Sequence, residues 1–150
     1  MKSDRILKRS AHVGVAVVLL TLAVASAGMA QTAADMDSTL DTLFGDHAPY
    51  RTFLGNLKKA VAASDKAAVA AMVDYPFQAR INGKALKIRD AAHFVADYDK
   101  IITAKVKRAV ANQSYATLFA NWQGVSIGDG EVWFSGVGDR NAIRITAIND

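Results

Sequence analysis

The 150-residue sequence predicts a single α+β domain in which N-terminal helices pack on a curved antiparallel β-sheet. Three observations support this fold class. Apolar residues recur at helical spacing between residues 36 and 73, and Asn82-Gly83 joins two short alternating segments. Residues 115–148 consist of β-rich runs separated by glycine-containing turns, which is typical of a C-terminal meander. Helices, a hairpin, further helices and then a sheet form the element order of an α+β protein.

Two helices are predicted before residue 63, because apolar residues recur there three and four positions apart. The repeating positions are Met36, Leu40, Leu43 and Phe44 in the first helix and Tyr50, Phe53, Leu54, Leu57, Ala60 and Val61 in the second. The segment from Gly45 to Pro49 separates them as a break. A short third helix is predicted over Ala67–Val73, with Ser64 as its N-cap and Pro76 ending it.

The middle of the chain is predicted to form a β-hairpin followed by two helical segments. The hairpin covers residues 76–89, with Asn82-Gly83 as its tight turn. Asp90 is expected to cap the next helix, whose apolar face is Ala91, Phe94, Val95, Tyr98, Ile101 and Ile102. A second helical piece follows over Val106–Ala111, and its basic residues are expected to face solvent: Lys105, Lys107 and Arg108.

The last third of the chain predicts strands joined by tight turns. The β-rich runs are Tyr115–Phe119, Trp122–Ile127, Glu131–Ser135 and Ala142–Ile148. Gly128-Asp129-Gly130 and the segment Gly136–Asn141 are the turns between the later runs. Gly128-Asp129-Gly130 lacks the further residues of a phosphate-binding or calcium-binding loop, so it is interpreted as a hairpin turn.

Residues 1–30 have the three parts of a secretory signal peptide: a basic start, an apolar middle and a small-residue end. The apolar run of about 15 residues is shorter than the roughly 20 that a membrane-spanning helix needs. Cleavage after Ala30 is therefore favoured over an uncleaved membrane anchor. We expect a periplasmic or secreted bacterial protein, with a flexible segment at residues 31–37 and a single α+β domain at residues 38–150.

The charge and cysteine content exclude several classes of protein. Four of the 18 basic residues and one of the 14 acidic residues lie in the first thirty positions. The remainder therefore has 14 basic and 13 acidic residues and a net charge of +1. A nucleic-acid-binding domain is expected to carry a much larger basic excess. The chain contains no cysteine, so it has no disulfide framework, thiolate metal site or cysteine nucleophile.

One part of the sequence resembles a known superfamily. The residues that carry the resemblance are Pro76-Phe77, Ile88, Phe94-Val95, Tyr98-Asp99, Ile101, Asn121, Gln123-Gly124-Val125, Ile127-Gly128, Gly130 and Val132-Trp133-Phe134. They resemble those of small exported bacterial proteins, whose element order is similar to the cystatin-like, NTF2-like superfamily. The resemblance covers residues 50–149 and implies a cone, in which a bent sheet wraps around helices. It carries over no catalytic residue, because the Tyr/Asp pair of the steroid isomerases has no counterpart here.

Two histidines are the weak candidates for catalysis or metal binding. His93 and Asp97 are four residues apart on one helix face, the arrangement in which a carboxylate orients an imidazole as a general base. Both lie opposite the apolar stripe, which favours a solvent-facing pair instead. His47 with Asp46 supplies too few ligands for a structural zinc site, so we expect no metal and no cofactor.

The candidate binding residues are aromatic or basic and lie in the predicted sheet: Trp133, Trp122, Arg144 and Tyr115. If Val132 and Phe134 face the helices, Trp133 lies on the outer face of the sheet, near Arg144. Tryptophan is enriched at binding hot spots but also serves in cross-strand packing. An alternative pocket between the helices and the sheet would be lined by four aromatic residues whose spacing favours core packing instead: Phe77, Phe94, Tyr98 and Phe119.

These observations favour an exported, non-enzymatic binding protein. The expected partner is a protein on the sheet face or a small apolar ligand in the cone, and the sheet face also offers a surface for a homodimer. The first alternative is a periplasmic inhibitor or immunity-type protein that blocks a cell-wall hydrolase through Trp133 and the Gly136–Asn141 loop. The second is an NTF2-like isomerase or dehydratase that uses His93 and Asp97. No nucleic acid, and no membrane after cleavage, is expected as a partner.

Overall fold

The computed structural model describes residues 30–150, so the predicted signal peptide lies outside the described residues except for Ala30. The helices are α1 (Ala33–Phe44), α2 (Ala48–Ala62), α3 (Lys66–Ala70), α4 (Ala91–Ala96), α5 (Tyr98–Ile101) and α6 (Ala104–Asn112). The strands are β1 (Phe77–Ile81), β2 (Lys84–Ile88), β3 (Phe119–Asn121), β4 (Gly124–Ile127), β5 (Val132–Val137) and β6 (Ala142–Asn149). The predicted α+β class is confirmed. Within this part of the chain, no helix is both long enough and apolar enough to cross a membrane.

Helix α1 begins within the segment that the sequence predicted to be flexible. Thr32 is its N-cap, and the Thr32 hydroxyl accepts a hydrogen bond from the Asp35 amide at 3.2 Å. The Asp35 carboxylate accepts in return from the Thr32 amide at 2.8 Å. This capping box satisfies amide groups at the helix start, and Met36 is fully buried. Residues 33–37 are therefore helical rather than flexible.

The cap of α3 also differs from the prediction. Asp65, not Ser64, is the N-cap, and its carboxylate accepts from the Ala68 amide at 3.0 Å. Ser64 instead adopts a left-handed conformation with a φ of 53°. Both residue types are good N-caps, so the sequence alone did not distinguish these neighbours. Asp90, by contrast, caps α4 as predicted, accepting from the His93 amide at 2.8 Å.

The six strands form one mixed sheet in the order β2-β1-β6-β5-β4-β3. The predicted hairpin is present as β1 and β2, and the strands from β3 to β6 pair antiparallel in sequence order. Strands β1 and β6 pair in parallel, which makes the sheet mixed rather than antiparallel as predicted. The physical reason is that the side-chain pattern of a strand fixes which face is buried but not which distant strand lies beside it.

The hydrophobic core lies between the helices and one face of the sheet. The buried residues of the sheet are Phe77, Ala79, Ile88, Val125, Ile127, Val132, Phe134, Ile145 and Ile148. Phe134 stacks on Phe53 of α2, with ring centroids 4.9 Å apart. Phe94 and Tyr98 are also fully buried, which confirms that these two aromatics belong to the core. The opposite face, on which Ser126 and Trp133 lie, is called the outer face below.

Gly124 allows β4 to approach β5 closely. Its φ is 143°, and a Cβ at this position would lie 2.8 Å from the Phe134 carbonyl oxygen. Both effects disfavour any larger residue, since the backbone conformation is unusual for L residues and the clashing atom belongs to the main chain. We expect Gly124→Ala to reduce the free energy of unfolding by about 1–3 kcal/mol in urea denaturation.

A matched control is Gly55→Ala in the middle of α2. A Cβ there would meet no atom within 4 Å, so alanine should stabilise the protein by about 0.5–1 kcal/mol through helix propensity. Equal effects of the two substitutions would contradict the close approach of β4 to β5.

Candidate functional site

The outer face of the sheet carries two aromatic side chains in contact, Phe119 and Trp133, and Trp122 lies in the adjoining β3–β4 turn. These three residues are here called the aromatic surface. Phe119 is 54% exposed and Trp122 is 81% exposed, whereas Trp133 is half-buried. The rings of Phe119 and Trp133 pack edge to face, with centroids 6.1 Å apart. Large apolar side chains exposed together are more informative than a single exposed one, because clusters of this kind mark binding sites.

Strand register explains why Phe119 and Trp133 meet although they lie on different strands. Phe119 of β3 is paired with Ser126 of β4, and Ser126 is paired in turn with Trp133 of β5. All three side chains therefore lie in one row across the outer face. Ser126, which lies between the two aromatic residues, is only 3% exposed.

A β-bulge in β6 places one extra residue beside Trp133. Trp133 is paired with Ala147, but the next residue, Phe134, is paired with Ile145. Thr146 is therefore the extra residue of β6, and both Thr146 and Ala147 lie beside the indole. Bulges of this type re-aim side chains and are common next to functional sites.

Two shallow depressions flank Trp133. The first, here called the Thr146 depression, has a volume of about 280 Å³ and is lined by Gln123, Trp133, Thr146, Ala147 and Asn149. The second, called the Glu131 depression, has a volume of about 320 Å³ and is lined by Lys105, Asp129, Gly130, Glu131, Trp133, Asn149 and Asp150. Trp133 and Asn149 line both. An aromatic ring is thus surrounded by amide, hydroxyl, carboxylate and ammonium groups.

The carboxylate of Glu131 is held within the β4–β5 turn. It is only 6% exposed as a residue, and it accepts a hydrogen bond from the Asp129 amide at 2.6 Å. The Lys105 ammonium lies 3.5 Å from its other oxygen. These contacts fix one edge of the Glu131 depression and leave the Asp129 and Asp150 side chains as its more exposed acidic groups.

The other two predicted binding residues form hydrogen bonds to groups outside the aromatic surface. Arg144 is on the outer face, paired with Ser135, but its guanidinium donates a hydrogen bond to the carbonyl of Ala71 after α3. Tyr115 precedes β3 and turns towards the helices, where its hydroxyl donates to Asp37 of α1 at 2.7 Å. The structure therefore brings Trp133 into contact with Phe119 and places Trp122 in the turn after β3, but it does not place Tyr115 with them.

Tyr115 belongs instead to a group here called the α1–α2 polar cluster: Asp37, Asp41, His47, Arg51 and Tyr115. The His47 ring lies between two carboxylates, with Nδ1 2.8 Å from Asp41 and Nε2 3.6 Å from Asp37. The Arg51 guanidinium lies over the Tyr115 ring, 4.8 Å from its centroid. Burial, together with the hydrogen bond to the Asp37 carboxylate, raises the pKa of Tyr115 well above its ordinary value. Sequence spacing could not reveal this cluster, because it joins α1 to a residue 78 positions away.

The His47–Asp41 contact predicts a pH-dependent stability. The hydrogen bond to Asp41 raises the pKa of His47 above its ordinary value near 6.5, and the same bond lowers the pKa of Asp41. The His47 contribution is therefore fully present below about pH 6.5 and is lost as the pH rises through the higher pKa of the folded state. The Asp41 contribution is lost as the pH falls through the lowered pKa of its carboxyl group.

We expect the stability difference between wild type and His47→Ala, measured by urea unfolding, to be larger at about pH 6 than at about pH 9. An NMR titration of the Asp41→Asn variant should move the pKa of His47 back towards its ordinary value. A stability difference that grows with rising pH would contradict this assignment.

Three ligand atoms from Asp41, Asp46 and His47 lie within 4.8 Å of one another in the described part of the chain. They are already used within the protein, since Asp41 accepts from both the amide and the ring of His47, and Asp46 accepts from the Ala48 amide at 2.9 Å. Three ligands are also fewer than the four of a structural zinc site. The hydrogen bonds within this turn therefore account for the closeness of the three side chains.

His93 and Asp97 form a local pair with no free imidazole nitrogen. Nε2 of His93 lies 3.3 Å from Asp97, and Nδ1 accepts from the Arg89 amide at 3.4 Å. Asp97 also binds the Lys100 ammonium at 2.7 Å. Both side chains are half-buried. A general base needs a nitrogen within reach of the substrate proton, and here both are occupied.

The predicted pocket lined by Phe77, Phe94, Tyr98 and Phe119 is not formed. The first three are fully or almost fully buried in the core, whereas Phe119 lies on the opposite face of the sheet. The reason is that β3 begins only at Phe119, so the alternation of buried and exposed positions is shorter than the sequence indicated. Neither depression beside Trp133 is lined by the three core aromatics.

Comparisons with known proteins identified no relative: no family model, no curated protein and no solved structure matches this chain.

Proposed function

We propose that this protein is an exported, non-enzymatic binding protein, and that the aromatic surface with its two flanking depressions is its recognition site. The observation that carries the proposal is the row in which Phe119 and Trp133 pack against each other on the outer face while Trp122 extends from the β3–β4 turn. Export rests on the sequence of residues 1–30. We also propose an NTF2-like cone with a C-terminal meander, because the helices pack against one face of a bulged sheet.

The chemistry of the surface favours an oligosaccharide as the ligand. A pyranose ring has an apolar C–H face that stacks on an indole and equatorial hydroxyls that bond to amide and carboxylate groups. Gln123, Thr146 and Asn149 supply such groups on one side of Trp133, and Asp129 and Asp150 supply them on the other. Sites for small ligands combine aromatic surface with a few polar groups in this way. The two depressions share the Trp133 indole ring, so they fit two neighbouring sugar units of one oligosaccharide.

Calorimetric titration with chitotetraose and with N-acetylglucosamine tests this proposal. We expect the tetramer to bind with a Kd of about 0.1 mM, corresponding to about −5.5 kcal/mol, because the site is shallow. The monosaccharide should bind at least about tenfold more weakly, since it occupies only one depression. Cellotetraose, which lacks the acetamido groups of chitotetraose, tests whether these groups contribute to binding. No binding of either tetramer at millimolar concentration would overturn the proposal.

A second candidate function, inhibition of a cell-wall hydrolase, is favoured by a separate observation. The β3–β4 turn with Trp122 and the β5–β6 turn at residues 138–141 project from the same end of the sheet, because Gly124 lies against Ser135. Both turns are exposed, and a protruding tryptophan is a frequent hot spot of protein interfaces. The expected result is that the wild-type protein, but not Trp122→Ala, slows lysis of cell walls by purified lysozyme. Equal lysis rates with and without the protein would exclude this candidate for lysozyme.

A further inference from the structure

A groove between α2 and α6 shares no lining residue with the depressions beside Trp133 and is separate from the aromatic surface. Its volume is about 510 Å³, which lies within the roughly 300–1,000 Å³ of small-molecule pockets. Ser64 completes the lining, and the walls come from equivalent positions of the two helices: Lys58, Val61, Ala62, Lys107, Val110 and Ala111. Val61 and Val110 are buried and form the floor, while the small side chains of the two alanines leave the groove open.

The two walls are built from nearly the same pentapeptide. Residues 58–62 read Lys-Lys-Ala-Val-Ala, and residues 107–111 read Lys-Arg-Ala-Val-Ala. Residues three and four positions apart share a helix face, so each helix presents one lysine stem, one valine and one alanine to the groove. The Lys58 ammonium donates a hydrogen bond to the carbonyl of Gln113 just beyond α6. The start of one pentapeptide therefore lies beside the end of the other, which places the two lysines at opposite ends of the groove.

The two lysines differ in how their charges are compensated. The Lys107 ammonium lies 3.8 Å from the Asp99 carboxylate, which is itself bound more closely by Lys66 at 2.7 Å. Lys58 forms no ion pair with a carboxylate within residues 30–150, and its hydrogen-bond partner there is a neutral carbonyl group. The Lys58 end of the groove thus presents positive charge beside an apolar floor.

From this charge and shape complementarity we propose that the α2–α6 groove binds a free aliphatic carboxylate, with the alkyl chain along Val61 and Val110 and the carboxylate on Lys58. Apolar walls favour an alkyl chain through burial of its surface. A carboxylate accepts a strong charge-assisted hydrogen bond from an ammonium group. The site needs neither tryptophan, so it is independent of the proposed glycan site.

Calorimetry with laurate, dodecanol and dodecyltrimethylammonium, each below its micelle concentration or solubility limit, tests the proposal on the full-length mature protein. Laurate is expected to bind at least tenfold more tightly than the other two. Lys58→Met keeps the side-chain stem and should weaken laurate binding about tenfold or more, the size of one charge-assisted hydrogen bond. Lys59→Met removes the same charge from the adjacent exposed position and should leave laurate binding unchanged.

A further variant tests whether the open space of the groove is the binding site. Ala62→Phe fills the groove from an exposed helix position, so it should abolish laurate binding while thermal unfolding shows that the fold is retained. In the wild-type protein, laurate should shift the NMR methyl signals of Val61 and Val110, and it should do so equally in Trp133→Ala. Absence of laurate binding, equal affinity for the three amphiphiles, or equal losses in Lys58→Met and Lys59→Met would overturn the proposal. A failure of glycan binding would leave it unaffected.

Discussion

Trp133→Ala is expected to weaken chitotetraose binding about 30-fold, corresponding to about 2 kcal/mol, the size of a hot-spot contribution. Trp133 is the only aromatic residue that lines both depressions, so its removal takes the stacking partner from each at once. It also removes the edge-to-face support of Phe119. Calorimetry is the appropriate measurement, because the substitution changes the tryptophan fluorescence of the protein.

Two controls separate a binding effect from an effect on folding. Trp122→Ala removes a side chain that is 81% exposed in a turn, so its fold should be unchanged while binding is weakened. Tyr115→Phe alters an aromatic residue on the helix side and should bind chitotetraose like the wild type. The assignment of the site would be wrong if Trp133→Ala retained full affinity with an unchanged melting temperature.

Phe134→Ala is expected to cost about 3–5 kcal/mol of unfolding free energy, a large part of the 5–15 kcal/mol typical of a domain. Phe134 is fully buried, stacks on Phe53 at 4.9 Å and lies 6.2 Å from Tyr50, so it joins β5 to α2. Its loss removes apolar burial and leaves a cavity between the sheet and the longest helix. Urea denaturation followed by circular dichroism measures this change.

The matched control for Phe134 is Phe119→Ala, which removes the same side chain from the exposed face of the same sheet. We expect this control to cost about 1 kcal/mol or less, because most surface substitutions have small effects. If the two substitutions were equally destabilising, the division of the sheet into a core face and an outer face would be incorrect.

Local patterns in the sequence predicted much of the fold. The hairpin at Asn82-Gly83, the cap at Asp90 and the inward orientation of Val132 and Phe134 all depend on neighbours within a few residues, and all are confirmed. The early start of α1 also had a local signal, since Thr32 and Asp35 have capping-box spacing. That signal could have corrected the prediction of a flexible segment.

Features that depend on distant partners could not be predicted in the same way. The parallel pairing of β1 with β6 and the contact of Tyr115 with Asp37 join residues far apart in the chain. The candidate site was predicted in part, because alternation along β5 placed Trp133 on the outer face. Phe119 was assigned to the wrong face, since the start of β3 and its register with Ser126 are set by tertiary pairing.

The most direct test of the aromatic surface as the recognition site is an NMR titration that follows the tryptophan indole N–H signals. The chain contains two tryptophans, and both belong to this surface, so each indole signal reports on it. Addition of chitotetraose is predicted to shift both signals in a saturable manner, while the methyl signals of Val61 and Val110 stay in place. Indole signals that do not move at millimolar chitotetraose would contradict the proposed function.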